Sequence, residues 1–183
     1  MIDPDVWNEA LSDVSLMMEQ GAPISQESSE TSPTLAFGTV VRAAPIAEGG
    51  ELVLLDWDTK TVRANVPIRP RNPTIEEDPN PRGNGRGCRG IRQVGDRIVA
   101  STYHTLEQYD ASLNLVDTLS DGLMVGLHEI AGTGHGTAWV TSTAIDAAVE
   151  YDLNTGERVR AHWPREMDGL QEALGLTPLD IDK

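Results

Sequence analysis

Short apolar segments separated by polar turn residues run through most of the chain between residues 34 and 163. Three segments share one pattern, in which a predicted strand ends in aspartate, a polar turn follows and a new strand begins near a valine. These segments are Leu52–Asp56, Leu106–Asp110 and Val149–Asp152. Short apolar segments bounded by turn residues predict β-strands. An all-β domain is therefore expected.

The spacing of these three units predicts how the strands are grouped. Their terminal aspartates lie 54 and 42 residues apart, and Ile98–Thr102 aligns with Trp139–Thr143 upstream of the second and third units. A period of this length with short strands is typical of one β-propeller blade. The sequence thus predicts about three four-stranded propeller-like blades over residues 34–164, with a Pro- and Arg-rich insertion over residues 67–89.

The last of these turns carries a family resemblance. Asp152-Leu-Asn-Thr-Gly-Glu resembles the turns of NHL-repeat, YVTN-repeat, gluconolactonase-like and arylsulfotransferase-like β-propellers. The resemblance extends over about residues 34 to 163 and implies the fold, but not one activity, because propellers host many functions. A carboxylate before a turn can accept the turn's backbone N–H groups, so Asp110 and Asp152 are interpreted as turn formers rather than catalysts.

Helices are predicted at both ends of the β region. Asp3-Pro4 is a helix start, and an amphipathic helix is expected over residues 1–21. Its apolar stripe consists of Trp7, Leu11, Val14 and Met18, and it either docks on the chain's own β domain or binds a partner. Residues 22–33 are polar and aperiodic, which indicates a linker. A short helix is expected within residues 165–183, with apolar positions at Met167, Leu170 and Leu174.

Three blades are fewer than the roughly 4 to 8 of a closed propeller. Blades pack face to face, so a row of three leaves an apolar face uncovered at each end, and exposed faces of that size mark interfaces. Three explanations stay open: the chain is part of a longer propeller, two copies close a six-bladed ring, or another chain completes it. The expected function is a binding module that self-associates or is completed by a partner chain.

Composition restricts the partners and the compartment. The chain has 29 acidic and 14 basic residues and a net charge of -15, so neither nucleic acid nor an anionic membrane is expected as a partner. Cys88 is the single cysteine, which excludes an internal disulfide. The sequence shows neither a basic leader nor a long apolar run, and a cytoplasmic location is expected.

Arginines are concentrated in and just after the predicted insertion. The segment from Asn80 onward contains four arginines, no acid and several glycines; these arginines are Arg82, Arg86, Arg89 and Arg92. Glycines let backbone N–H groups approach an anion, and arginine offers two parallel donors to carboxylate, sulfate or phosphate. An anion-binding loop is predicted, with an insertion paired to acidic residues as the alternative. The neighbouring positive charge is expected to lower the pKa of Cys88. No pairing of Cys88 with a histidine is visible in the sequence, however, so it is not expected to be a nucleophile.

His128 and Glu129 are the candidates for catalysis or for a divalent metal ion. They begin the third unit, and the first strand of a propeller blade lines the central channel. With Arg89 or Arg92 they would polarise an ester or lactone, or bind a metal. The alternative to a binding module is therefore an enzyme of the lactonase, hydrolase or sulfotransfer type. Two ligands do not make a metal site, however. The other interpretation is that His128 and Glu129 are a buried polar pair whose hydrogen bonds are satisfied by neighbouring backbone groups. Further candidates in loops are His104 and Asp146.

Overall fold

The structure is a computed structural model, and its described residues are 34–40, 50–69, 71 and 87–177. Within them, three antiparallel sheets are followed by one short helix. The expected all-β class is therefore confirmed. The helix predicted over residues 1–21 and the linker predicted over residues 22–33 lie outside the described residues.

Each sheet is a meander in which consecutive strands are neighbours. Sheet 1 contains β1 (Thr34–Gly38), β2 (Glu51–Asp56) and β3 (Thr61–Pro67). Sheet 2 contains β4 (Gly90–Val94), β5 (Arg97–Ser101), β6 (Leu106–Tyr109) and β7 (Leu115–Leu119). Sheet 3 contains β8 (Leu127–Gly132), β9 (Thr137–Ser142), β10 (Ala147–Asp152) and β11 (Arg158–His162). The second and third predicted blades thus have four strands, whereas the first has three in the described part of the chain.

An aspartate forms the turn between the last two strands of every sheet. Asp56, Asp110 and Asp152 each accept two backbone N–H groups of the turn on Oδ1, at distances of 2.8 to 3.1 Å. The side-chain amide of Asn114 donates a further bond, which holds the pKa of Asp110 below its ordinary value. The interpretation of Asp110 and Asp152 as turn formers is confirmed.

Two apolar cores hold the sheets together. The core between sheets 1 and 2 includes Leu52, Leu54, Ile68, Ala100 and Tyr109. The core between sheets 2 and 3 includes Val99, Leu106, Leu127, Val140 and Tyr151. Sheet 2 contributes to both, because successive side chains of a strand point to opposite faces. All four residues of β6 are buried as a result, which is the packing of a blade between two others.

The first strands of sheets 2 and 3 lie side by side. A Cβ atom added to Gly90 would lie 2.0 Å from the carbonyl oxygen of His128. The Ser101 hydroxyl bridges the two strands, since it accepts the Gly90 N–H at 2.8 Å and donates to the same His128 oxygen at 3.0 Å. Convergence of first strands is expected at the centre of a propeller, so the arrangement is propeller-like.

The strand register corrects one alignment made from the sequence. Tyr109 pairs with Ile98, and Tyr151 pairs with Ala138. Both tyrosines precede a turn aspartate and pack in the core towards the preceding sheet. Ile98 therefore corresponds to Ala138, and the predicted correspondence of Ile98 with Trp139 is wrong by one residue. Because a shift of one residue reverses the face, Trp139 points away from sheet 2.

The C-terminal part of the described chain is helical, as predicted. A single 3₁₀ turn at Pro164–Glu166 leads into α1 (Asp168–Leu174), which ends where Gly175 takes the left-handed conformation. The apolar positions Met167, Leu170 and Leu174 are exposed. With its seven residues, α1 is the longest helix in the described chain, and none there has the length and hydropathy needed to cross a membrane.

We expect Gly90→Ala to destabilise the protein by at least about 2 kcal/mol, because the new methyl group must push β4 and β8 apart. Urea unfolding followed by circular dichroism measures the change. Gly122→Ala is the control, since a Cβ atom there meets nothing within 4 Å. Equal stabilities of the two variants would contradict the close approach of the strands.

Candidate functional site

The convergence of sheets 2 and 3 brings Arg89 and His128 together. Arg89 directly precedes β4, and His128 is the second residue of β8. Nη1 of Arg89 lies 2.6 Å from Nε2 of His128, and Cζ of Arg89 lies 5.5 Å from the ring centroid of Tyr103. We call Arg89, Tyr103 and His128 the inner cluster. It joins a predicted anion-binding residue to a predicted catalytic residue, and it adds an aromatic ring that the sequence did not indicate.

A β-bulge presents His128 and its neighbour. Leu127 pairs with Ser142 and Ile130 pairs with Val140, so that His128 and Glu129 both oppose one residue of β9. The side chains of His128 and Glu129 are exposed. Bulges re-aim side chains and are common beside functional sites. The bulge is therefore what lets two adjacent residues of one strand both reach solvent.

The contact with Arg89 occupies one nitrogen of the His128 ring. A guanidinium only donates hydrogen bonds, so Nε2 of His128 accepts and the ring proton lies on Nδ1. In that form the ring has no lone pair left for a metal ion. Within the described ranges, moreover, no group of three His, Cys, Asp or Glu side chains could hold a metal. The geometry gives the metal hypothesis for His128 and Glu129 no support, and it stays a prediction.

Of the remaining predicted site residues, Arg92 and Asp146 lie apart from the inner cluster. The ring of His104 meets the Tyr103 ring of that cluster edge to face, with 6.2 Å between centroids. Arg92 is exposed in β4, opposite Val99. His104 is buried in the loop between β5 and β6, and its carbonyl oxygen accepts the Ser120 hydroxyl at 3.2 Å. Asp146 forms an ion pair with Arg165. Arg82 and Arg86 belong to residues that the structure does not describe.

A buried carboxyl group between sheets 1 and 2 was missed by the sequence reasoning. Glu107 is fully buried, the Tyr109 hydroxyl donates to its Oε2, and Nε of Arg71 lies 3.2 Å from its Oε1. The Arg71 contact is an ion pair rather than a well-aligned hydrogen bond. Burial raises the pKa of Glu107, although Tyr109 and Arg71 each act to lower it. The only available signal was an acid within the short predicted strand Leu106–Tyr109.

Cys88 lies in the same core and corrects another expectation. The predicted lowering of its pKa by neighbouring arginines is wrong: burial, together with the charge of Glu107, raises the pKa of the Cys88 thiol to about 12. The side chain packs against Gly38, where an added Cβ atom would lie 2.2 Å from the Cys88 Cβ. Cys88 is thus a packing residue and not a nucleophile.

The face of sheet 3 that points away from sheet 2 carries an aromatic and charged layer. The Trp139 ring stacks on His162 at 5.5 Å between centroids, and Cζ of Arg160 lies 5.2 Å from the Trp139 ring. Nε of Arg160 also lies 2.5 Å from Oε2 of Glu150. Hydrogen bonds from Thr137 and Arg160 lower the pKa of Glu150. We call Trp139, Glu150, Arg160 and His162 the end layer.

Comparisons with known proteins give little beyond this geometry. No family model matches the sequence, and no curated protein matches it. Among solved structures, the chain is similar to the Pan2 WD40 domain of Neurospora crassa, with a TM-score of 0.46 and 12% sequence identity. The match covers 77% of this chain and 41% of that chain. The chain thus spans less than half the length of that structure, and a likeness at this level says nothing about function.

We expect the stability of wild type relative to Glu107→Gln to depend on pH. Because the folded protein raises the pKa of Glu107 above its ordinary 4.5, it binds more protons than the unfolded chain over the range between the two values. Wild type therefore loses stability as the pH rises through that range, whereas the uncharged variant does not. Urea unfolding between about pH 4 and 8 measures the difference. The variant should gain relative to wild type as the pH rises.

The control for that experiment is Glu129→Gln, which removes one exposed carboxylate. A difference between wild type and Glu107→Gln that stays constant over the pH range would contradict the raised pKa. A difference that falls as the pH rises would show that the ion pair with Arg71 outweighs burial.

Proposed function

We propose that this chain is a non-catalytic binding module of the propeller type, and that a second copy of the chain covers its end sheets. One observation carries the proposal: sheet 1 presents an apolar face away from sheet 2. Leu35 and Phe37 of β1 are 44% and 37% exposed there, and Val62 of β3 is 59% exposed. Register places them on one face, because Leu35 and Val62 both pair with Leu55.

The opposite face of the same sheet supports this interpretation. Leu54, Ala64 and Val66 pack in or against the core shared with sheet 2. Sheet 1 therefore has apolar positions on both faces, as sheet 2 has. On the face away from sheet 2, Val53 in the central strand is buried, whereas Leu35, Phe37 and Val62 are exposed. A strand that is apolar on both faces is typical of a sheet covered on both sides.

A second copy could supply the cover by placing the end layer of its sheet 3 against sheet 1. Two copies related by a two-fold axis would then contribute six sheets, which lies within the usual range of about 4 to 8 blades. Tryptophan and arginine, both present in the end layer, are enriched at the centres of protein interfaces. A different partner chain, or further blades of a longer chain, are the other outcomes that the experiment below must separate.

The finer family assignment also belongs to this proposal. The turn that begins at Asp152 supports a relation to NHL-repeat, YVTN-repeat, gluconolactonase-like or arylsulfotransferase-like propellers. Arg89, and with it Arg82, Arg86 and Arg92, supports an anion-binding role at the mouth of the channel. A small carboxylate, sulfate or phosphate group is the ligand chemistry that arginine in a glycine-rich segment suits.

An enzyme of the lactonase, hydrolase or sulfotransfer type is the second candidate, and the inner cluster favours it. An anionic or carbonyl ligand that drew Arg89 away from His128 would free Nε2 to act as a general base. Glu129 is adjacent on the bulge and equally exposed. Reaction would therefore require the ligand to break the contact between Arg89 and His128.

We expect the chain to sediment as a dimer, and Phe37→Asp to weaken that dimer at least about tenfold, because an interfacial carboxylate loses its hydration without a partner. Sedimentation velocity over a concentration series measures the dissociation constant. Val116→Asp introduces the same carboxylate at an exposed position of the outer strand β7, and it should leave the dimer intact. A wild type that stays monomeric at all concentrations would refute the proposal.

We expect His128→Ala to leave both folding and dimerisation unchanged, because the side chain is exposed and its partner Arg89 also contacts Tyr103. Circular dichroism and sedimentation measure these properties. Hydrolysis of small esters and lactones is assayed in parallel. Turnover by the wild type that is lost in His128→Ala, with folding intact, would favour the enzyme instead.

A further inference from the structure

We infer that the cavity between sheets 1 and 2 is a binding site for a small apolar molecule that carries an ammonium group. The cavity has a volume of about 370 Å³, which lies near the lower end of the range of small-molecule pockets, roughly 300–1,000 Å³. The residues that line it all belong to the described part of the chain. The site lies within one copy of the chain, so it goes beyond the proposed self-association and does not depend on it.

Aliphatic side chains of both sheets form the walls of the cavity. Ala36 and Leu54 line it from sheet 1, and Ile91 and Ile98 line it from sheet 2. Paired residues share one face of a sheet, and the register pairs Ala36 with Leu54 and Ile98 with Gln93. These walls suit the apolar body of a ligand, because each Å² of apolar surface removed from water contributes roughly 25 cal/mol.

Two hydrogen-bond acceptors of sheet 2 also line the cavity. Gln93 belongs to β4, and Asp96 belongs to the turn between β4 and β5. The side-chain amide of Gln93 donates to the carbonyl oxygen of Gly95 at 3.3 Å, which leaves its amide oxygen as an acceptor. Within the described residues, the carboxylate of Asp96 forms no ion pair. A carboxylate and an amide oxygen are the partners that an ammonium group needs.

The nearby arginines do not neutralise Asp96. Arg63 lines the cavity from sheet 1, but its Nη2 lies 2.5 Å from Oδ2 of Asp56. Arg97 follows Asp96 in the sequence, but it points towards sheet 3, where its Nη1 donates to the carbonyl oxygen of Leu153 at 3.3 Å. The described part of the cavity therefore has one ion pair and one further carboxylate.

This balance of charge selects a cation rather than an anion. An ammonium group would form a charge-assisted hydrogen bond with Asp96, whereas a carboxylate ligand would place two like charges close together. The net charge of -15 also raises the concentration of small cations near the protein. The ligand of this cavity thus differs in charge from the small anions that suit the arginine-rich segment.

The first test titrates the full chain by isothermal calorimetry with a matched set of aromatic ligands. Phenethylamine carries the ammonium group, phenethyl alcohol is its uncharged counterpart, and hydrocinnamate is its anionic counterpart. We expect the amine to bind at least about fivefold more tightly than the alcohol, because only the amine is charged when it meets Asp96. Hydrocinnamate should bind most weakly.

Asp96→Asn examines the polar part of the site. Asparagine has nearly the same shape without the charge, and Asp96 is exposed, so the fold should not change. We expect the variant to bind phenethylamine at least about fivefold more weakly and phenethyl alcohol as wild type does. The matched control is Glu157→Gln, which removes one exposed carboxylate from the turn between β10 and β11. It should leave both affinities unchanged.

Ala36→Leu examines the apolar part of the site. The larger side chain fills space between the sheets, so the amine and the alcohol should both bind at least about fivefold more weakly. Circular dichroism checks the fold of this variant. If the variant does not fold, Asp96→Asn and the three ligands still decide the question.

Four results would overturn the inference. They are no binding of phenethylamine to wild type, equal affinities for the amine and the alcohol, an unchanged affinity in Asp96→Asn, and equal losses in Asp96→Asn and Glu157→Gln. The last would show that the overall charge of the chain attracts the amine. None of these results bears on self-association, which sedimentation measures separately. A monomeric chain that binds the amine would refute the proposed dimer and leave the cavity site standing.

Discussion

Packing of apolar sheet faces against one another is the interaction on which this structure depends. Each large side chain buried between sheets contributes roughly 1.5–3 kcal/mol, and Leu106 and Tyr109 of the single strand β6 enter different cores. The same packing brings the first strands of sheets 2 and 3 close together. The backbone of His128 then leaves no room for a side chain at Gly90. What covers the outer faces of sheets 1 and 3 is therefore a question of stability as much as of function.

Local hydrogen bonding explains why much of the fold could be predicted. An aspartate before a polar turn satisfies its carboxylate within the next few residues, so the signal at Asp56, Asp110 and Asp152 needs no knowledge of distant parts of the chain. The C-terminal helix was visible because its apolar residues Met167, Leu170 and Leu174 recur at helical spacing. The correspondence of Ile98 with Trp139 was predicted wrongly, since strand register depends on pairing with Tyr151 and Glu150 across the sheet, and composition does not encode that pairing.

The candidate site was less accessible to sequence reasoning. Arg89 and His128 are 39 residues apart, and their proximity follows from the stacking of sheets 2 and 3, which a periodic pattern can suggest. The Tyr103 ring and the bulge in β8 follow from packing details that no local pattern carries. Glu107 was hidden because an acid in a short strand is indistinguishable from a surface position until its distant partner, Arg71, is known.

The buried thiol of Cys88 has a practical consequence. Burial and the charge of Glu107 raise the pKa of the Cys88 thiol to about 12, so the reactive thiolate is scarce at neutral pH, and the sulfur is enclosed where sheets 1 and 2 meet. An alkylating reagent can therefore modify Cys88 only when the contact between sheets 1 and 2 opens. Because the chain has one cysteine, the rate of alkylation reports how often the contact between sheets 1 and 2 opens, and no other thiol contributes to the measurement.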